Sequence, residues 1–124
     1  AGLDPGYPNF VHATPSIIRD VIHQVRPQKL VLAHMGGFQR WSEVEELLVG
    51  EDVWLDTAAC FSKIPDEQFL RIVRRHGVEK ILFATDSPWA SQTDYVHYFH
   101  SLDLSSKERK QILLENAVKL LESA

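Results

Sequence analysis

Three polar residues stand at the ends of short apolar runs in this 124-residue sequence, and their side chains could do chemistry together. His34 ends the run in "LVLAHMGG", Asp56 ends the run in "VWLDTA", and Asp86 follows the run in "ILFATDSPW". An imidazole and carboxylates that face one cavity suit two tasks: they bind a divalent metal, or they move protons near neutral pH. The two tasks combine where a metal lowers the pKa of a bound water and a neighbouring group takes its proton.

Each of these residues also has a structural interpretation. A histidine at a strand end can bond a loop carbonyl, Asp56 can serve a turn or cap, and Asp86 can form an Asx turn. Trp89 follows Asp86 closely and is a candidate for lining a pocket. His12 precedes a helix start and is either a functional residue or an ordinary polar loop residue. Cys60 is expected to be a small buried apolar residue. The remaining histidines lie on helices or helix ends and are expected at the surface: His23, His76, His97 and His100.

Alternating strands and helices are predicted around these residues. The runs "KLVLA", "DVWLDT" and "KILFAT" have the length and apolar content of strands buried on both faces. Thr14 and Pro15 begin a helix whose predicted apolar stripe is Ile17, Ile18, Val21, Ile22 and Val25. The predicted caps of the later helices are a Ser42–Glu45 capping box, Gly50 and Gly77 at helix ends, Ser105 with Glu108, and Asn116.

This alternation predicts an α/β fold of parallel βα units. Ligands of such folds gather at the carboxyl ends of the strands, where His34, Asp56 and Asp86 lie. Gly36 and Gly37 are expected to leave room there for a cavity. The alternation alone does not decide between a doubly wound sheet and part of a closed barrel. Because a complete (β/α)8 barrel needs about 250 residues, residues 1–124 are predicted to form one partial domain. Three strands would leave two exposed sheet edges.

Composition excludes several classes of protein. The net charge is −4, and the 13 Lys and Arg residues are scattered, so we expect no nucleic-acid partner. No apolar run is long enough to cross a membrane. A single cysteine rules out an internal disulfide framework and favours a reducing, cytoplasmic location. The sequence begins without an initiator Met, from which we expect a fragment of a longer polypeptide.

In combination, four motifs resemble one family. The family is that of the amidohydrolase-related metal-dependent hydrolases, which includes decarboxylases acting on aminocarboxymuconate semialdehyde. Its sixth, seventh and eighth strands and its closing helix are similar, in that order, to "LVLAHMGG", "VWLDTAA", "ILFATDSPW" and "ILLENAVKLL". The resemblance implies a (β/α)8 TIM barrel with a divalent metal, often zinc. It implies that His34 sits beside the metal and transfers protons, that Asp86 is a metal ligand and proton acceptor, and that His12 contacts substrate; Asp56 is left as structural or supporting.

The resemblance implies a hydrolase in which metal-activated water attacks a carbonyl or related bond of a small molecule. A decarboxylase of the same family, with His34 delivering a proton, and a non-catalytic α/β binding module are the alternatives. The family's His-x-His pair and the whole first half of the barrel are absent from this sequence, so the chain alone is expected to hold metal weakly and to be inactive. Its expected partners are a small-molecule substrate, the missing amino-terminal half, and further copies of the chain that associate through an exposed sheet edge.

Overall fold

The computed structural model describes residues 1–7 and 12–123, and three parallel strands lie at its centre. They are β1 (Val31–Leu32), β2 (Trp54–Asp56) and β3 (Ile81–Leu82), side by side in the order β1-β2-β3. Leu32 lies opposite Leu55, which in turn lies opposite Ile81. The predicted parallel βα arrangement is therefore confirmed, with strands shorter than the apolar runs that predicted them.

Helices connect and follow the strands, and their bounds are α1 (Pro15–Val25), α2 (Trp41–Leu47), α3 (Asp66–His76), α4 (Gln92–Ser101), α5 (Ser106–Lys110) and α6 (Asn116–Glu122). Two 3-10 turns, His34–Gly36 and Val78–Lys80, and a π-helical turn, Gln111–Glu115, complete the described elements. Helices and strands share one apolar core, whose buried residues include Val44, Leu48, Leu55, Phe69, Ile72, Ile81 and Phe99. Within the described residues, every helix is too short or too polar to cross a membrane.

Helix α1 begins as predicted but buries only part of its apolar stripe. The Thr14 hydroxyl accepts the Ile17 N–H at 3.2 Å, which confirms the N-cap. Ile18 and Ile22 are buried, whereas Ile17, Val21 and Val25 are 46%, 47% and 67% exposed. The predicted stripe is wider than the surface that the rest of the chain offers, so one apolar face of α1 is left uncovered.

Two of the predicted helix caps are wrong. Helix α2 begins at Trp41, one residue before Ser42, and the carboxylate of Glu45 binds Arg71 and Gln68 of α3 instead of a backbone N–H. Asn116 caps no helix, because the π-helical turn runs directly into α6 and leaves no free helix start there. The Ser105–Glu108 capping box is present as predicted.

The predicted pair of open sheet edges is also wrong, because the chain covers one edge itself. The backbone N–H of Phe83 donates to the Ile112 carbonyl at 3.1 Å, and the buried Asn116 amide donates to the Ile81 carbonyl at 2.8 Å. These bonds occupy backbone groups on the outer side of β3. The outer side of β1 has no neighbouring strand among residues 1–7 and 12–123.

His76 was expected at the surface but is buried at the end of α3. Its Nδ1 accepts the Gly50 N–H at 3.1 Å, and its Nε2–H donates to the Val53 carbonyl at 2.8 Å. This pair of bonds requires a neutral imidazole, and burial lowers the pKa of His76 below its ordinary value of 6.5. His76 thus ties α3 to the turn that leads into β2.

The buried His76 predicts that acid destabilises the fold. As the pH falls through about 6.5, the unfolded chain takes up the imidazole proton before the folded chain does, so unfolding becomes more favourable. We expect the urea midpoint to fall between about pH 7.5 and pH 5.5, and to fall less in a His76→Gln variant. His97→Gln, at an exposed histidine, should keep the full pH dependence. An unchanged pH dependence in His76→Gln would contradict this assignment.

Candidate functional site

A cavity of about 810 Å³ opens where the chain leaves the three strands, and three of the residues predicted from sequence border it. His34 follows β1, whereas Asp86 and Trp89 lie on the loop after β3. The carboxyl ends of parallel strands meet at one edge of a sheet, which is why residues far apart in sequence share this cavity. The predicted convergence of His34 and Asp86 is therefore seen in the structure.

Backbone and side-chain bonds hold His34 in one orientation. Its backbone N–H donates to Oδ1 of Asp56 at 3.0 Å, and its Nδ1–H donates to the Ala58 carbonyl at 2.8 Å. Because a carbonyl only accepts, the proton of the neutral ring sits on Nδ1 and the lone pair on Nε2. Among the described residues no protein group bonds Nε2. The structural interpretation of this histidine thus holds for one nitrogen, while the other is left available as a proton acceptor.

Asp56 connects the ends of β1 and β2. One oxygen, Oδ1, accepts the N–H of His34 and the N–H of Ala58, both at 3.0 Å. Next to it the buried Thr57 hydroxyl donates to the Ala84 carbonyl at 2.8 Å and accepts the Ala84 N–H at 2.9 Å. The bonds of Asp56 give it a supporting role, as the sequence indicated. The bonds of Thr57 continue the connection between β2 and β3 up to the cavity.

Asp86 presents a carboxylate without a bond to any described protein group. Its backbone is left-handed, with φ +66°, a conformation that aspartate tolerates better than most residues, and its carbonyl accepts the Trp89 N–H at 2.9 Å. The alternative Asx turn is not formed, because the residue two positions after Asp86 is Pro88, which has no N–H; the Thr85 hydroxyl accepts the Ser87 N–H at 3.2 Å. Trp89 is 82% exposed and borders the cavity, as predicted.

The structure does not bring His12 to this cavity. His12 borders a separate cavity of about 410 Å³ together with Tyr7 and Asp4. Residues 8–11, which belong to the same predicted substrate loop, lie outside the described residues. The predicted contact between His12 and a substrate therefore remains a prediction.

Gly36 and Gly37 serve packing rather than cavity space. A Cβ on Gly36, at φ +90°, would lie 3.1 Å from Cγ1 of Val44, and one on Gly37 would lie 3.2 Å from Cγ2 of Val44. Neither glycine borders the 810 Å³ cavity. The sequence correctly indicated a sharp turn, but it did not show that helix α2 fills the space beside it.

Several residues that border the cavity were not predicted from sequence. Tyr95 reaches it from α4, Lys63 and Phe61 lie on the loop after β2, and Asp4 lies on the amino-terminal segment. Lys63 is the only Lys or Arg side chain among the described residues that border this cavity. The position of Lys63 after a predicted strand end was an available signal, whereas no sequence pattern singled out Tyr95.

The donors present do not form a complete metal centre. Within residues 1–7 and 12–123 no three His, Cys, Asp or Glu side chains come close enough to hold one ion, whereas a catalytic zinc usually takes three protein ligands. His34, Asp4 and Asp86 border this cavity, but these three residues do not converge closely enough to hold one ion.

The two bonds that Oδ1 of Asp56 accepts predict a measurable loss of stability in Asp56→Ala. Two backbone N–H groups near the cavity would lose a charged acceptor, which should cost about 2 kcal/mol of unfolding free energy. Asp52→Ala is the matched control, because the side chain of Asp52 is 85% exposed and pairs only with Lys80, so its loss should change stability by about 0.5 kcal/mol or less. Denaturant unfolding measures both, and equal losses in the two variants would contradict the role given to Asp56.

Comparison with solved structures shows the same fold. An uncharacterized TIM-barrel protein from Bordetella bronchiseptica matches 96% of this chain and 43% of its own, at 19% identity and a TM-score of 0.81. A protein from Pseudomonas putida provisionally named 2-pyrone-4,6-dicarboxylic acid hydrolase matches 89% of this chain and 50% of its own, at 18% identity and a TM-score of 0.65. A dihydroxybenzoic acid decarboxylase from Polaromonas sp. JS666, with bound manganese, matches 77% of this chain and 35% of its own, at 21% identity and a TM-score of 0.57.

The chain spans half or less of the length of these solved structures, so its parallel βα units are those of a partial TIM barrel. A search of curated proteins found no match. The family profile described as amidohydrolase matches residues 5–122, nearly the whole chain. We conclude that this chain belongs to the amidohydrolase family.

Proposed function

We propose that this chain supplies the proton-transfer part of the active site of a metal-dependent hydrolase that acts on a small molecule. The observation that carries the proposal is the state of His34: its Nδ1–H is held by the Ala58 carbonyl, and its unbonded Nε2 belongs to a residue that borders the same cavity as the Asp86 carboxylate. A group oriented in this way can take a proton from a nucleophile and return it to a leaving group.

The bond to Ala58 supports both protonation states of His34. In the neutral ring it fixes the lone pair on Nε2, and after Nε2 takes a proton the same carbonyl stabilises the charged ring. The Asp86 carboxylate adds a second proton acceptor on the border of the same cavity. No movement of the backbone is needed for His34 to change its charge.

A divalent metal, which we propose to be zinc, would supply Lewis acidity to this site. In the proposed centre Asp86 is a ligand, and the ligands that the described residues lack come from polypeptide outside this chain. The proton-transfer role of His34 rests on the bond from its ring to the Ala58 carbonyl, and that of Asp86 rests on its place at the border of the cavity. Neither role depends on the identity of the metal.

A decarboxylase is the second candidate, and Lys63 is the observation that favours it. An ammonium group on the border of the cavity suits a substrate carboxylate, and His34 could deliver a proton to the carbon that loses carbon dioxide. The decarboxylase from Polaromonas sp. JS666 shares the fold, which makes the same scaffold available for this reaction. Release of carbon dioxide from a carboxylated substrate, against incorporation of oxygen from labelled water, separates the two reactions.

The remaining partner that we propose is the rest of the barrel. The outer edge of β1 has no strand neighbour among the described residues, and α1 exposes an apolar face formed by Ile17, Val21 and Val25. Both offer surface to a preceding βα unit. Copies of the isolated chain would associate through the same surface. The single cysteine, Cys60, is buried and unpaired, which supports a reducing, cytoplasmic environment.

Substitution of the two candidate catalytic residues tests the proposal. In the full-length protein, His34→Gln and Asp86→Asn should each lower kcat about 10²- to 10⁴-fold on hydrolysable or carboxylated substrates, because each removes a proton-transfer group. His97→Gln, at an exposed histidine on α4, is the control and should leave kcat unchanged. Full activity in His34→Gln would refute the proposed function and favour a non-catalytic binding module.

Substitution of Val21 tests the proposed docking of the missing barrel half. Val21 is 47% exposed in this chain, so Val21→Glu should change the stability of the isolated chain by about 0.5 kcal/mol or less. In the full-length protein the same change would bury a charge and should cost about 2 kcal/mol or more. Arg19→Ala lies on a different face of α1 and should have a small effect in both. Equally small effects of Val21→Glu in both proteins would contradict the docking surface.

A further inference from the structure

The hydroxyl of Tyr95 forms three hydrogen bonds with one short loop. It donates to the Thr57 carbonyl at 2.6 Å and accepts the N–H groups of Cys60 and Phe61 at 2.5 and 3.1 Å. A phenol has one proton to donate and can accept two bonds, so this hydroxyl is fully used. Tyr95 is only 5% exposed, and burial raises its pKa to about 12, so the hydroxyl stays protonated at neutral pH.

The loop that Tyr95 holds is the loop that orients His34. Ala58 lies between Thr57 and Cys60, and its carbonyl accepts the Nδ1–H of His34 at 2.8 Å and the thiol of Cys60 at 3.2 Å. The next residue, Ala59, is left-handed with φ +53°. The Cys60 N–H is shared between the Thr57 carbonyl, at 3.2 Å, and the Tyr95 hydroxyl, whereas the Phe61 N–H donates to the Tyr95 hydroxyl, so this hydroxyl supplements the backbone bonds of the turn.

We propose that Tyr95 is a positioning residue that sets the tautomer of His34 through the loop from Thr57 to Phe61. The inference rests on the proposed function in so far as His34 is the proton-transfer group of the site. Helix α4, which carries Tyr95, follows β3, whereas His34 follows β1. The network therefore joins elements from across the sheet before any substrate binds.

The ring of Tyr95 has a separate packing role, which the test must leave intact. Its centroid lies 4.5 Å from that of Phe61 and 6.0 Å from that of Phe83. Tyr95→Phe keeps this ring and removes only the hydroxyl. Tyr98→Phe is the matched control, because Tyr98 also stacks on Phe61 from α4 but its hydroxyl donates to Asp66, away from the loop.

The experiment determines by NMR which ring nitrogen of His34 carries the proton, in the full-length protein with ¹⁵N-labelled histidine. The signal is assigned by its loss in His34→Gln. In the unmodified protein and in Tyr98→Phe we expect one neutral form, with the proton on Nδ1. In Tyr95→Phe we expect a mixture that includes the Nε2–H form, and exchange of the Cys60 and Phe61 amide protons that is roughly tenfold faster or more. A single Nδ1–H form in Tyr95→Phe overturns the proposal.

If Tyr95→Phe does not fold, amide exchange in the unmodified protein tests the positioning role of Tyr95. Slow exchange of the Cys60 and Phe61 amide protons supports the proposal, and exchange at the rate of an open loop overturns it. The tautomer readout needs no turnover, so it is independent of the proposed function. A His34→Gln variant with full activity would refute that function and leave the tautomer result standing, whereas an unchanged tautomer in Tyr95→Phe would refute only the positioning role.

Discussion

The candidate site depends on the carboxylate of Asp56, because one of its oxygens joins the ends of two strands. Oδ1 accepts the N–H of His34, after β1, and the N–H of Ala58, after β2. The first bond holds the backbone of His34, which is left-handed at φ +58°, and the second holds the residue whose carbonyl binds the His34 ring. Removal of this carboxylate would release the imidazole from both sides. Asp56 thus decides where Nε2 of His34 lies, although its own bonds go to backbone groups.

The sequence predicted the strands, most of the helices and the convergence of His34 with Asp86, because these depend on local patterns. Apolar runs end where polar residues begin, and parallel topology then brings those ends together. The failures concern long-range partners. His76 and Asn116 are polar residues on helices whose bonds go to Val53 and Ile81, backbone carbonyls far away in sequence. Tyr95 was missed for the same reason, since only the folded chain shows which loop its hydroxyl meets.

The two edges of the sheet differ in how far other parts of the chain cover them, which the composition does not reveal. Bonds from the π-helical turn and Asn116 occupy the outer side of β3, whereas β1 has no strand neighbour among residues 1–7 and 12–123, and α1 keeps an apolar face exposed. The chain belongs to the amidohydrolase family and matches at most half of each of the compared structures, which offers an explanation for this difference. We propose that further βα units extend the sheet at this open edge, which belongs to the strand that precedes His34.

The measurement that tests this account most directly is the crystal structure of the full-length protein with a carboxylated substrate analogue bound. The account predicts that Nε2 of His34 lies about 2.6–3.2 Å from the reacting group of the analogue, while Nδ1 keeps its bond to the Ala58 carbonyl. An analogue bound elsewhere, or a His34 ring whose Nε2 is bonded to a protein group, would contradict the central claim that His34 transfers protons in this cavity.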